Sequence, residues 1–273
     1  MQVDGRASSE ASAWREPFSL HRADGAGGVV LICEHASNHI PDAYRGLGLH
    51  DGQRRMHIAW DPGALEVATE LSRLLDAPLV HARYSRLLLD LNRAPGAADA
   101  IALDSEDIPI PGNHGIGAAE RQLRQRRIYQ PFHAAVDALI EQRLRAGLAT
   151  AVVSIHSFTP VYRGQARPWQ VGVIAQHDRR LADGVLAVLR RDPALCVGDN
   201  QPYAPTDGVY HTIERHGEAR GLPCAMIEIR QDQLGAERAQ HEWAQRLEAG
   251  IRHALASIDT QRHPSTAATG THR

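Results

Sequence analysis

Two histidines and one glutamate close three apolar runs. The runs read Val29-Val30-Leu31-Ile32-Cys33-Glu34-His35, Ala151-Val152-Val153-Ser154-Ile155-His156 and Cys224-Ala225-Met226-Ile227-Glu228. Each has the make-up of a buried β-strand with a polar group at its C-terminal end. In open α/β sheets that edge is where ligands bind. Imidazole is the commonest side-chain metal ligand, and a carboxylate beside it can act as general base toward water on the metal. The pattern points to zinc-assisted hydrolysis. A catalytic zinc ion takes three protein ligands and leaves one position for water, so His35 and His156 need a third partner. Asp61, at the start of the next helical segment, and Asn38, three residues after His35, are the candidates. A carboxylate neutralises the ion and an amide does not, which favours Asp61. Glu34 would point to the opposite strand face from His35 and reads as a supporting or structural carboxylate.

Glu228 is the candidate base. Burial raises a carboxylate pKa, whereas a metal ion or an arginine lowers it. A glutamate held between these influences can take a proton from water and hand it to a leaving amine. Arg230 falls on the same strand face, so the two either form a structural pair or set a base beside an anion-binding group. More arginines follow at Arg83, Arg86 and Arg93. Guanidinium forks bind carboxylates in bidentate fashion, and Asp90-Leu91-Asn92-Arg93 puts an amide and a guanidinium in one turn, with Asp90 placed to orient Arg93. Arg86, Asn92, Arg93 and Arg230 are therefore the candidate substrate binders, and they suit an acidic substrate. His216 could donate to a tetrahedral oxyanion or lie on a helix surface. Ser157, adjacent to His156, makes no serine triad, because neighbours in an extended strand face apart.

The elements that must hold these groups alternate strand with helix. Asp61-Pro62-Gly63-Ala64 opens a helix with Asp61 as N-cap, and Leu65, Ala68, Leu71, Leu74 and Leu75 recur at helical spacing. Leu79–Ala82 reads as a strand and Leu87–Leu89 as a short extended piece. Residues 94 to about 117, rich in proline and glycine, form a long loop of the kind that borders functional sites. Glu120–Arg145 is a long helix, Trp169–Ala175 a strand, Arg180–Arg191 and Arg215–Arg220 helices, and Glu237–Ser257 the last helix. This order predicts an α/β layer fold with a largely parallel sheet. Composition assigns residues 1–17 and 263–273 to loose tails, leaving 18–262 as one domain with no internal repeat.

The bulk numbers are those of a soluble globule, with 43% hydrophobic and 23% charged residues among 273. A net charge of −2 and the absence of a long basic stripe argue against nucleic acid or an anionic membrane as partner. No apolar run is long enough to span a bilayer, and the first residues lack the hydrophobic core of a signal peptide. Cys33, Cys196 and Cys224 make no CxxC pair, and so few cysteines fit a reducing cytoplasm.

Taken together, five segments resemble the N-formylglutamate amidohydrolase family. They are Leu31-Ile32-Cys33-Glu34-His35-Ala36-Ser37-Asn38, His57-Ile58-Ala59-Trp60-Asp61-Pro62-Gly63-Ala64, Ser85-Arg86-Leu87-Leu88-Leu89-Asp90-Leu91-Asn92-Arg93, Ser154-Ile155-His156-Ser157-Phe158 and the stretch from Gly221 to Asp232. The resemblance implies a zinc-dependent hydrolase with a three-layer, phosphorylase/hydrolase-like fold: a mixed, mostly parallel central sheet with helices on both faces. It implies kinship with zinc carboxypeptidases, aspartoacylases and muramoyl amidases. In the last of these a carboxylate opening the first long helix completes the zinc site, which corresponds here to Asp61. The Asp90–Arg93 stretch is similar to the substrate-carboxylate motif of aspartoacylases. The expected activity is cleavage of an N-acyl bond, N-formyl first, on a small acidic amino acid. Zinc would sit on His35, Asp61 and His156, with Glu228 as base and His216 as an accessory donor. The alternatives are a related zinc amidase or carboxypeptidase acting on a peptide, and a metal- or ligand-binding module without turnover.

Overall fold

A computed structural model describes residues 14–262. The tails expected before residue 14 and after residue 262 lie outside the described residues. Residues 14–17, assigned to the tail by composition, are pinned instead. Trp14 packs edge-on against Tyr44 and Tyr84, with ring centroids 5.6 and 5.4 Å away, and the Arg15 amide donates to the Tyr84 hydroxyl at 2.6 Å. One tryptophan in a polar stretch is enough to anchor it.

The strands are β1 (Phe18–His21), β2 (Val29–Cys33), β3 (Leu79–Ala82), β4 (Asp104–Ser105), β5 (Ile108–Pro109), β6 (Ala151–Phe158), β7 (Val161–Tyr162), β8 (Gln165–Ala166), β9 (Val171–Ile174), β10 (Val197–Asp199) and β11 (Cys224–Arg230). Seven form one sheet in the order β1-β3-β2-β6-β11-β9-β10, while β4-β5 and β7-β8 are small separate hairpins. Strands β3, β2, β6 and β11 run parallel. Strand β1 is antiparallel to β3, and β9 to β11. The sheet is thus mixed and mostly parallel. Its central strands are buried end to end, as expected where helices cover both faces.

Alternating residues of each strand feed two cores. Leu31, Val153, Ile155, Ala225 and Ile227 face the helices Ala64–Leu75, Arg180–Leu189 and Glu237–Arg262. Within Ala64–Leu75, Val67, Ala68, Leu71 and Leu75 make the buried stripe, the i, i+1, i+4, i+8 spacing of one helical face. On the other face Val30, Ile32, Val152 and Met226 meet Phe132, Val136 and Ile140 of the helix Gln130–Arg145, together with the Tyr84–Leu91 segment.

Two local readings change. The long helix expected over Glu120–Arg145 is interrupted: Ala118–Arg124 and Gln130–Arg145 are joined by a π-helical turn at Gln125–Tyr129. Pro131, in the first turn of the second part, has no N–H to continue the ladder, and widening the turn before it accommodates that loss. Leu87–Leu89 is a buried turn, not a strand, with the Leu88 amide donating to Ser85 O at 3.0 Å. Its leucines fill the second core, so apolar content there reflects packing and not pleating.

Candidate functional site

Because β2, β6 and β11 are adjacent and parallel, their C-terminal ends share one edge of the sheet. Pairing sets Glu228 opposite His156 and Ile32 opposite Ser154. Strand β2 stops at Cys33, and a turn carries Glu34 and His35. Strand alternation therefore does not separate them: both side chains reach His156. Glu34 Oε2 accepts from Ser154 Oγ at 2.7 Å and lies 3.2 Å from His156 Nε2. The His35 and His156 rings meet edge to face, 4.7 Å apart.

Asp61 closes the cluster. Its amide donates to His35 O at 2.9 Å, and its carboxylate points inward instead of capping the helix. The cap position belongs to Gly63, at φ +82°. A Cβ there would stand 2.4 Å from Leu234 Cβ, so the turn that aims Asp61 requires glycine. Asp61 Oδ2 lies 2.8 Å from His156 Nδ1 and 3.4 Å from His35 Nδ1. Both rings thus turn Nδ1 toward Asp61 and Nε2 toward a carboxylate behind, Glu34 for His156 and Asp90 for His35, the latter at 2.7 Å. Backing carboxylates of this kind fix the tautomer and orientation of metal-binding histidines.

The donor set fits a divalent cation. Ligand atoms of His35, Asp61 and His156 all lie within 4.8 Å of one another. His35 Nδ1 is buried with no hydrogen-bond partner. The field favours positive charge: burial opposes a proton on His156, yet Glu34 and Asp61 outweigh it and raise its pKa well above the usual histidine value. For Asp61, burial pushes upward, but the charges of Arg86 and His35 hold it well below the usual carboxylate range. Asn38 lies elsewhere, donating to Arg54 O at 3.0 Å.

These groups line a cavity of about 820 Å³, with Glu228, Arg86, Asn92 and Arg93. That is a small-molecule volume. Glu228 is buried, and its Oε2 has no hydrogen-bond partner. Burial, then the charge of Asp61, raises its pKa, against the pull of His156, Arg86 and Arg167. Arg86 donates to Asp61 Oδ1 and to His57 O, the latter at 3.0 Å, and its Nε is unpartnered. Asn92 holds the chain of the facing loop, accepting from the Thr212 amide at 2.9 Å and donating to Val209 O. Arg93 is engaged by Asp99 at 2.7 Å and by Gly208 O at 3.0 Å. The 94–117 segment contributes Asp99, Ala102 and Asp104–Glu106 to the lining.

Two expected residues are not brought to the cavity. Arg230 does share a strand face with Glu228, but its guanidinium is tied to Asp232 and to the carbonyls of Arg167 and Pro168. His216 is fully buried against His133, with Nε2 2.8 Å from His133 Nδ1. Ser157 donates to Pro62 O at 2.9 Å, away from nucleophilic duty. Sequence reasoning passed over His57, whose Nδ1 lies 3.4 Å from Asp61 Oδ1, and gave Asp90 to Arg93 when its partner is His35. It also passed over Arg167 and Tyr203, both in the lining. Asp90 had a signal: it follows three leucines that had to be buried.

The fold and this edge define an α/β protein with a buried His–Asp–His cluster and a buried glutamate lining one cavity at its sheet edge. Residues 27–234 match the model of the N-formylglutamate amidohydrolase family. The chain belongs to that family. It is 43% identical to gene product Atu2144 from Agrobacterium tumefaciens, whose crystal structure superposes with a TM-score of 0.88 over 92% of this chain and 98% of that one. An N-formylglutamate amidohydrolase from Ralstonia eutropha shares the fold at 20% identity, with a TM-score of 0.60 over 90% and 99% of the two chains. None of the curated proteins matches the chain. Among the described residues no helix is long and apolar enough to cross a membrane.

Proposed function

We propose that this protein is a metal-dependent amidohydrolase that cleaves the N-acyl bond of a small acidic amino acid, with N-formylglutamate the leading substrate. The observation that carries the reading is the meeting of His35, Asp61 and His156 with a buried glutamate on one cavity. Family membership supports the linear amide as the bond cleaved. Two imidazoles and a carboxylate suit zinc first among the divalent metals. Held there, the ion would supply Lewis acidity that polarises the amide carbonyl and eases deprotonation of water.

The chain's own groups do the rest. Glu228 accepts a proton from the attacking water at its unpartnered Oε2. It then returns that proton to the leaving nitrogen. Arg86, beside Asp61 with Nε unspent, offers positive charge to the oxygen of the tetrahedral intermediate. Arg93 lines the same cavity and adds positive potential for an acidic substrate, while Asn92 holds the 209–212 backbone beside it. The three cysteines are free, which supports a cytoplasmic setting for a small-molecule substrate.

The test is metal analysis of the purified protein beside a screen of N-formyl, N-acetyl and N-succinyl amino acids, repeated on Glu228→Gln. We expect one zinc per chain in both proteins and turnover of an acidic N-acyl amino acid in the wild type alone. Full activity in zinc-loaded Glu228→Gln removes the proposed base. Zinc without turnover of any substrate in the screen removes the enzymatic reading.

A further inference from the structure

Three arginines in the cavity or on the Glu228 strand have acidic partners: Arg86 has Asp61, Arg93 has Asp99 and Arg230 has Asp232. Arg167 has none among the described residues. It is only 8% exposed, yet it lines the cavity with Glu228 and His57. Its guanidinium carbon stands 4.5 Å from the ring centroid of Tyr162, 4.8 Å from that of Tyr203 and 5.7 Å from that of Phe158. Its one side-chain hydrogen bond runs from Nη1 to the Tyr203 hydroxyl at 3.0 Å. A buried cation without a counter-ion is costly unless something neutralises it. Aromatic rings stabilise the cation through their faces but accept no proton from its edge, so the remaining N–H groups stay available. A planar fork with free edge donors is the geometry that takes a carboxylate through two parallel bonds.

The surroundings hold this fork in place. The Arg167 amide donates to Pro160 O at 2.8 Å, and its carbonyl accepts from Arg230 Nη1 at 2.9 Å. Arg230 acts as the brace for Arg167, which explains why it stands on the Glu228 strand without reaching the cavity. Tyr162 arrives on the β7-β8 hairpin, whose turn is Arg163–Gly164. The positive field of Arg167 reaches both Glu228 and His57, consistent with one shared space.

Resting on the functional reading above, we propose that Arg167 is the specificity-determining residue of the cavity, binding a carboxylate of the acidic substrate inside a box made by Tyr162, Tyr203 and Phe158. Glutamate offers two such groups, the α-carboxylate and the side-chain carboxylate, and the experiment separates them. Binding of glutarate and of its monoamide is measured calorimetrically on zinc-loaded wild type, Arg167→Met and Arg167→Lys. Kinetics follow with N-formylglutamate, its α-amide and N-formylglutamine. Loss of a charge-assisted bidentate contact corresponds to roughly 10- to 100-fold weaker binding. We expect that loss for glutarate and in KM for N-formylglutamate in Arg167→Met, with zinc content unchanged and partial recovery in Arg167→Lys. The amide that the wild type already handles poorly, and that Arg167→Met handles no worse, identifies the carboxylate held. Glutarate binding equal in wild type and Arg167→Met overturns the proposal, as does an equal loss on all three substrates. If the wild type binds glutarate through Arg167 but turns over no N-acyl amino acid, the carboxylate site stands and the amidohydrolase reading fails.

Discussion

Asp90 tests the proposed metal site while leaving each proposed ligand unchanged. Its Oδ1 lies 2.7 Å from His35 Nε2 and also accepts from the Asn92 amide at 2.8 Å. Burial alone would raise its pKa, but the charge of His35 and their hydrogen bond hold it well below the usual carboxylate range. The bond does two things: it keeps the proton on Nε2, so that the Nδ1 lone pair faces Asp61, and its charge raises the basicity of the ring. Removing such a backing partner typically lowers metal affinity about 10- to 100-fold, or about 1.4–2.7 kcal/mol. The Asp90→Asn substitution keeps a neutral acceptor and loses only the charge, so we expect about tenfold. Asp90→Ala loses acceptor and charge alike, so we expect a loss near hundredfold. Competition with a chromophoric chelator reads the affinity, and urea unfolding of the metal-free protein reports any general damage. Zinc affinity in Asp90→Ala within about threefold of wild type, against the range expected for a backing carboxylate, would refute the reasoning.

Three further outcomes follow from the same structure. Gly63→Ala forces a Cβ to within 2.4 Å of Leu234 Cβ at a positive φ; we expect a loss of roughly 2–3 kcal/mol in unfolding free energy and weaker zinc binding, and unchanged values for both would show that the turn does not aim Asp61. Arg143 is buried and donates to the carbonyls of Gly25, Gly27 and Ala149, so Arg143→Met should destabilise by about 3 kcal/mol with zinc stoichiometry intact, which thermal unfolding checks. Burial lowers the pKa of His133 to about 3 and of His216 to about 4 from an ordinary 6.5. The unfolded chain therefore takes up these protons first, so the stability is full above pH 6.5 and is lost as pH falls toward the folded values. At about 1.4 kcal/mol per pH unit for each histidine, wild type should lose about 2 kcal/mol more than His216→Gln between pH 6.5 and 5; parallel stability curves would contradict this.

Much of this was legible in the chain. Continuous apolar runs leading to His156 and Glu228 announced buried parallel strands, although each strand runs two residues further than the run. Charge favours Asp61 over Asn38, and Asp61 lies beside both histidines while Asn38 does not. What stayed hidden depended on where the backbone bends. Glu34 looked opposed to His35 only so long as β2 was taken to run through both. Asp61 looked like a helix cap until Gly63 displaced it by two positions. Arg167 sits among Gln165, Ala166, Pro168 and Trp169, where no periodicity marks it, and it stands out only by lacking a counter-ion among the described residues. His216 and Arg230 had the right chemistry, but only packing decides that one lies behind the core and the other beneath a loop.

Gly63, two residues after Asp61, lies so close to Leu234, just beyond the Glu228 strand, that a Cβ has no room between them. The loop that carries Asp61 and the strand that carries Glu228 are thereby locked to one another. The hairpins at 104–109 and 161–166 border the same cavity without belonging to that frame. They are the parts of the lining that can change without disturbing that lock.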